Sequence, residues 1–382
     1  MLANAILFID QNTTVMKKIL FAALLLNASL FTTAQLTTPP DGGNKKASIS
    51  ERVGLTDITI HYDRPGVKGR EGKIWGELVP FGFTDLGFGT SKAAPWRAGA
   101  NENTTIEFST DVKVEGHEVP AGKYGFFIAV GKEESTLIFS KNSTSWGSFF
   151  YDSKEDFLRI TVKQQPMDKL VEWLKYDFIG ETEKNVTVAL MWEKWMFAFK
   201  VETDLEKIQL ESFRRELKTD KGFDWKPWAQ AAEWCADHNT NLDEALTWAD
   251  YGITGAFVGE KNFRTLTAKA RVLRQLKRMP EADAIMAEAL PLGNMNEVHN
   301  YARQVLAAGR KEMAIQVFKD NYKKFPNTFT TNMGMMRAMN AAGDAKEALK
   351  YARLGLAQAP DPGNKVAIEG MIEKLSKGEL IK

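Results

Sequence analysis

Cysteine is all but missing from this chain: Cys235 stands alone among 382 residues. One thiol excludes an intramolecular disulfide and any zinc site built on several cysteines. Histidine is scarce too, with four in the chain. No sign of charge dominates, since 50 Lys and Arg face 49 Asp and Glu without a long single-sign run. That balance argues against nucleic acid or an anionic membrane as the main partner. G-x-S-x-G, H-E-x-x-H and Walker-type loops are all missing, and Gly87-x-Gly89 lacks a strand–loop–helix setting. No catalytic motif is present and no cofactor is expected.

What is present suits two or three ordinary globular domains, with 44% hydrophobic residues to build their cores. The chain opens on a targeting pattern. Met16-Lys17-Lys18 is a basic n-region, residues 19–26 are an apolar h-region, and Ala34 offers a small residue at a cleavage point. Residues 1–34 are therefore expected to be a signal peptide, with 1–15 an extension lacking basic residues and Met16 the natural start. The apolar run is too short to span a membrane comfortably, and no later run reaches spanning length. The mature protein is expected to be soluble and exported, periplasmic or extracellular, with no transmembrane segment and no cysteine after the h-region to carry a lipid anchor.

Residues 45–201 carry strand patterns. Ile106 and Phe108 alternate with Thr105 and Glu107, and Val112 and Val114 flank Lys113. Residues 124–130 are apolar on both faces, as in a central strand covered on both sides. Further strands are expected at 47–53, 57–62, 135–140, 156–163, 185–192 and 195–201. Residues 172–179 favour strand over helix because Tyr176, Phe178 and Ile179 are β-formers. Val119-Pro120-Ala121-Gly122 reads as a turn, and residues 83–94 as a mobile loop. Short antiparallel strands at this spacing predict a sandwich or barrel.

The motifs of this half occur in a particular order. Arg64-Pro65, Lys68-Gly69-Arg70, Leu78-Val79-Pro80 and Trp96-Arg97-x-Gly99-Ala100-Asn101-Glu102 precede Val119-Pro120-Ala121-Gly122-x-Tyr124. Asn142, Trp146-Gly147 and Tyr151-Asp152 follow. Together they resemble the domain-of-unknown-function family 2911 of exported bacterial proteins, over about residues 45 to 201. The resemblance implies a β-sandwich-like domain and no known chemistry.

From Asp204 the pattern becomes helical, to about residue 380. Ala245, Ala282, Ala314 and Ala348 recur at spacings of 37, 32 and 34, and Gly309 and Gly343 lie 34 apart. This period resembles the tetratricopeptide repeat, in degenerate form. The chain is thus expected to be multidomain, α and β: an N-terminal antiparallel β-sandwich-like domain followed by an all-α helical-hairpin repeat array that folds as one block.

Candidate sites follow from residue chemistry. Arg64, Lys68, Arg70, Trp96, Arg97, Asn101 and Glu102 would form a small anionic or sugar ligand site, with Arg forks as bidentate donors and Trp96 as a stacking face. The plainer reading is a structural network in which Arg97 pairs with Glu102. His61 and Asp63 share one side of a strand and would act as an acid/base pair, or with His117 as metal ligands; a solvated His is the commoner case. Six Trp in the β half would offer a glycan platform, or fill the core. In the repeats, Met333, Met335, Met336 and Met339 would line a peptide groove or fill a core. Arg303, Asn332 and Arg337 are expected to face a protein or peptide partner. The chain reads as an exported binding protein with the repeats as scaffold. The alternatives are a hydrolase of an extracellular polymer, with Glu102 or Asp63 as acid/base, a glycan-binding protein, and a purely structural envelope component.

Overall fold

A computed structural model describes residues 43–381. The expected signal peptide and its cleavage point lie outside the described residues. The chain divides into two compact units, one through Glu202 and the other from Thr203.

The first unit contains ten strands among its described residues: β1 (Lys45–Val53), β2 (Thr56–Arg64), β3 (Thr105–Phe108), β4 (Val112–Val114), β5 (His117–Val119), β6 (Gly122–Ala129), β7 (Glu134–Ser140), β8 (Asp156–Lys163), β9 (Gln165–Ile179) and β10 (Asn185–Thr203). They form a six-stranded sheet of order β1-β2-β3-β6-β7-β8 and a four-stranded sheet of order β5-β4-β10-β9. The alternation read from the sequence decides which faces meet. Ile58, Ile60, Ile106, Phe108, Phe126 and Phe139 from one sheet share a core with Val188, Leu190, Phe197 and Phe199 from the other. β6 lies inside the larger sheet and is buried from Tyr124 to Ala129.

Three features of this unit needed the structure. The turn between β4 and β5 is Glu115-Gly116, both at positive φ, and His117 begins β5. β10 is bulged at Glu193. That buried carboxylate accepts from the backbone N–H of Gly72 and Lys194 and from the Trp75 indole, which ties the 68–72 loop to the second sheet. Finally, Trp75, Trp96, Trp192, Trp195 and Phe197 pack as one aromatic cluster, with Trp75 and Trp195 stacked at 5.0 Å. Most of the tryptophans are core or flank it.

The second unit has ten α-helices among its described residues: α1 (Leu205–Glu216), α2 (Trp225–His238), α3 (Leu242–Thr254), α4 (Phe263–Gln275), α5 (Met279–Ala289), α6 (Met295–Ala307), α7 (Lys311–Lys324), α8 (Phe329–Ala341), α9 (Ala345–Leu356) and α10 (Pro362–Ser376). Asp204 caps α1 by accepting from the Lys207 N–H. The helices pair as hairpins, and the repeat shows where they touch: Ala245, Ala282, Ala314 and Ala348 are each fully buried. Gly309 and Gly343, at φ 78° and 84°, end α6 and α8. In both turns the following residue donates back to the third-last helical carbonyl, Arg310 to Val305 and Asp344 to Met339. Lys277 fills the same left-handed position after α4. Met333, Met335 and Met336 are buried and Met339 packs against the core, so the methionines fill the array. No helix of the described residues is long and apolar enough to cross a membrane.

Candidate functional site

The polar residues of the β-unit motifs do not converge. Arg64 Nε donates to the Leu174 carbonyl at 2.7 Å and joins the two sheets. Arg70 donates to the carbonyls of Val67 and Gly66 and closes its own loop. The Lys68 ammonium lies 5.8 Å from the Trp173 ring centroid. Trp96 is partly buried, donates to the Gly99 carbonyl, and stacks on Trp192; it is part of the core and not an open stacking face.

The expected Arg97–Glu102 pair does not form. Ala98 and Asn101 both take positive φ, and these two turns send the side chains apart. Arg97 Nη1 donates to the Asn101 carbonyl at 2.6 Å, and the guanidinium lies 5.1 Å from the Phe149 ring centroid. Burial lowers its pKa. Gly147, at φ 60°, gives it room, since a Cβ there would lie 2.3 Å from Nη1. Glu102 instead meets Lys46 Nζ at 2.7 Å.

One open groove, of about 800 Å³, does gather several candidates. His61, Asp63 and Glu102 border it together with Lys46, Lys123 and Trp146. Asp63 is almost fully buried and accepts from Asn101 Nδ2 at 3.3 Å, while Asn101 Oδ1 accepts from Asn44. Trp146 is 56% exposed, unlike the tryptophans of the core cluster. His117 lies in β5 of the other sheet, and among the described residues no three His, Cys, Asp or Glu are grouped to hold a metal ion. A smaller hollow of about 540 Å³ is lined by Phe83, Lys92, Tyr151 and Arg159. Its charges are largely satisfied from within: Tyr151 Oη and Arg159 Nε both donate to Asp156 Oδ2 at 2.6 Å.

The helical unit holds the less ordinary electrostatics. Arg271, Arg303 and Arg337 are each the ninth residue of their helix, α4, α6 and α8. Arg271 pairs with Asp237 of α2. Arg214, Arg264 and Arg310 likewise pair with Glu244, Glu233 and Asp283 across neighbouring helices. Arg303 and Arg337 have no carboxylate partner among the described residues. Arg303 is exposed, whereas Arg337 is partly buried and its Nε is buried without an acceptor. Desolvation and then the Arg303 charge lower the Arg337 pKa. Asn332, expected to face a partner, is fully buried and donates to Asn327 and Gln358. Its amide bridges α8 to Asn327 and Gln358, and the side chain is not exposed on the surface of the array.

His299 of α6 completes this cluster. It is buried, its Nδ1 has no partner, and a Cβ on Gly334 would lie 3.2 Å from that nitrogen. Burial, then the charges of Arg337 and Arg303, push its pKa down to about 4. The folded chain therefore holds His299 neutral over a range where the unfolded chain protonates it. Stability should fall as pH drops from about 6.5 to about 4 and level off below, a loss of at most about 3 kcal/mol from this group. Denaturant melts across that window should show a shallower slope for His299→Gln than for the natural chain. Parallel curves would contradict the assignment.

Residues 44–201 match the family described as "Protein of unknown function (DUF2911)". No curated protein matches the chain. Among solved structures it is similar to YrrB, described as a TPR protein with an unusual peptide-binding site, at 16% identity and a TM-score of 0.29 over 44% of this chain and 87% of that one. It is also similar to the APC/C hetero-tetramer Cut9-Hcn1, at 13% identity and a TM-score of 0.30, over 45% of this chain and 34% of that one.

Proposed function

We propose that this is an exported interaction protein whose helical array holds an acidic segment of a protein partner against Arg303 and Arg337. The observation that carries this reading is the Arg337 guanidinium: partly buried, without an acid, and with one N–H lacking any acceptor. A desolvated charge is costly unless paired and hydrogen-bonded. Arg214, Arg264, Arg271 and Arg310 of the array are each paired with an acid, whereas Arg303 of α6 and Arg337 of α8 keep two positive charges available for an acceptor from outside. A carboxylate matches the guanidinium fork. The basic Met16-Lys17-Lys18 and the apolar residues after it support placing the protein outside the cytoplasm.

The test is a fluorescence-polarisation titration of the full chain with labelled oligo-glutamate, against oligo-lysine as control. The natural chain should bind oligo-glutamate alone and more weakly as salt is added. Truncating a buried charge in such a pair costs about 3 kcal/mol, so Arg337→Met should weaken binding by roughly a hundredfold. Arg303→Glu should weaken it as well. Equal binding by these variants, or none by the natural chain, would sink the reading.

A further inference from the structure

The outward face of the six-stranded sheet carries a row of polar side chains across three strands. Antiparallel register sets Ser48 opposite His61, and His61 opposite Thr105. Their neighbours Ile60 and Ile106 point into the core, so period-two alternation turns the row away from it. Across the next strand Gly125 stands opposite Thr105. With no side chain there, the backbone of Asn142 comes down onto the sheet, and a Cβ on Gly125 would lie 2.2 Å from its carbonyl oxygen. The following residues, among them Ser143, Ser145 and Trp146, form one wall of the groove.

We propose that this groove binds an oligosaccharide. Its lining asks for a ligand with two kinds of surface. The indole of Trp146, more than half in water, offers an apolar plane that the C–H face of a pyranose ring would cover. The floor and wall offer hydroxyls and an imidazole, which match the hydroxyl edge of the same ring. The hydroxyls of Ser48, Ser143 and Ser145 in this lining belong to residues that are exposed or half-buried; a sugar hydroxyl, donor and acceptor at once, suits them. A strongly charged ligand fits less well, because Lys46 and Glu102 at the rim neutralise each other at 2.7 Å.

The experiment presents the full chain to an immobilised set of cello-, chito- and malto-oligosaccharides, followed by calorimetric titration with any sugar retained. The natural chain should retain at least one, and Trp146→Ala and His61→Ala should each weaken it by roughly tenfold or more. Both side chains are exposed, so the melting temperatures of these variants should match that of the natural chain. The proposal is overturned if no oligosaccharide of the set is retained, or if a retained sugar binds Trp146→Ala as tightly as the natural chain.

Discussion

Replacing Ala348 with Glu is expected to unfold the C-terminal helices of the array. Ala348 is fully buried in α9, in a cluster with Met333 and Met336 of α8 and Ile368 and Leu375 of α10. The fit around it is close: two turns further along α9, a Cβ on Gly355 would lie 2.6 Å from the Met333 sulfur. A glutamate at Ala348 brings extra volume, costing about 1–3 kcal/mol, and a carboxylate with no cation in that cluster, costing several kcal/mol more. Each hairpin in such an array is held mainly by its neighbours. The loss should start in α8, α9 and α10 and show as rapid amide exchange there with reduced helical dichroism. A variant that keeps slow exchange in α9 and melts within about 1 kcal/mol of the natural chain would show that the repeat contact has been misplaced.

The second large effect belongs to the β unit. Gly125→Ala should destabilise it by about 3 kcal/mol, because the new methyl meets backbone on a central strand and not the tip of a flexible side chain. The clash would also push the Asn142 segment off the sheet, taking the Trp146 wall with it. The melting temperature of this unit should fall by roughly 10 °C, and oligosaccharide retention should fall with it. Gly116→Ala is the contrast, since nothing lies within 4 Å of its Cβ position; it bears only the strain of positive φ in an exposed turn. Equal effects of the two substitutions would mean that close approach is not what Gly125 provides.

These contrasts show what could be read from the chain and what could not. Local periodicity carried the elements. The alternation around Ile106 placed a strand, and the recurrence of Ala282, Ala314 and Ala348 placed the helix contacts, because both depend on residues a few positions apart. The side-chain network was harder. Arg97 and Glu102 are near in sequence, yet positive φ at Ala98 and Asn101 turns them apart, and Glu102 finds Lys46 of β1 instead. Asn332 looked like a polar surface residue, but α8 buries it against Gln358. The groove depends on the pairing of β1, β2 and β3, with forty residues between β2 and β3, so no local pattern announces it. The unpaired state of Arg337 was equally hidden, since only packing reveals which arginines find an acid.

The most direct measurement is the melting temperature of Arg337→Met with and without oligo-glutamate, beside the natural chain. Removing an unpaired, desolvated charge should leave stability unchanged or raise it by about 1 kcal/mol, while the peptide should stabilise the natural chain by mass action and leave the variant unmoved. If Arg337→Met melts well below the natural chain, or if the peptide shifts both alike, Arg337 is a structural residue and the acidic-partner account is wrong.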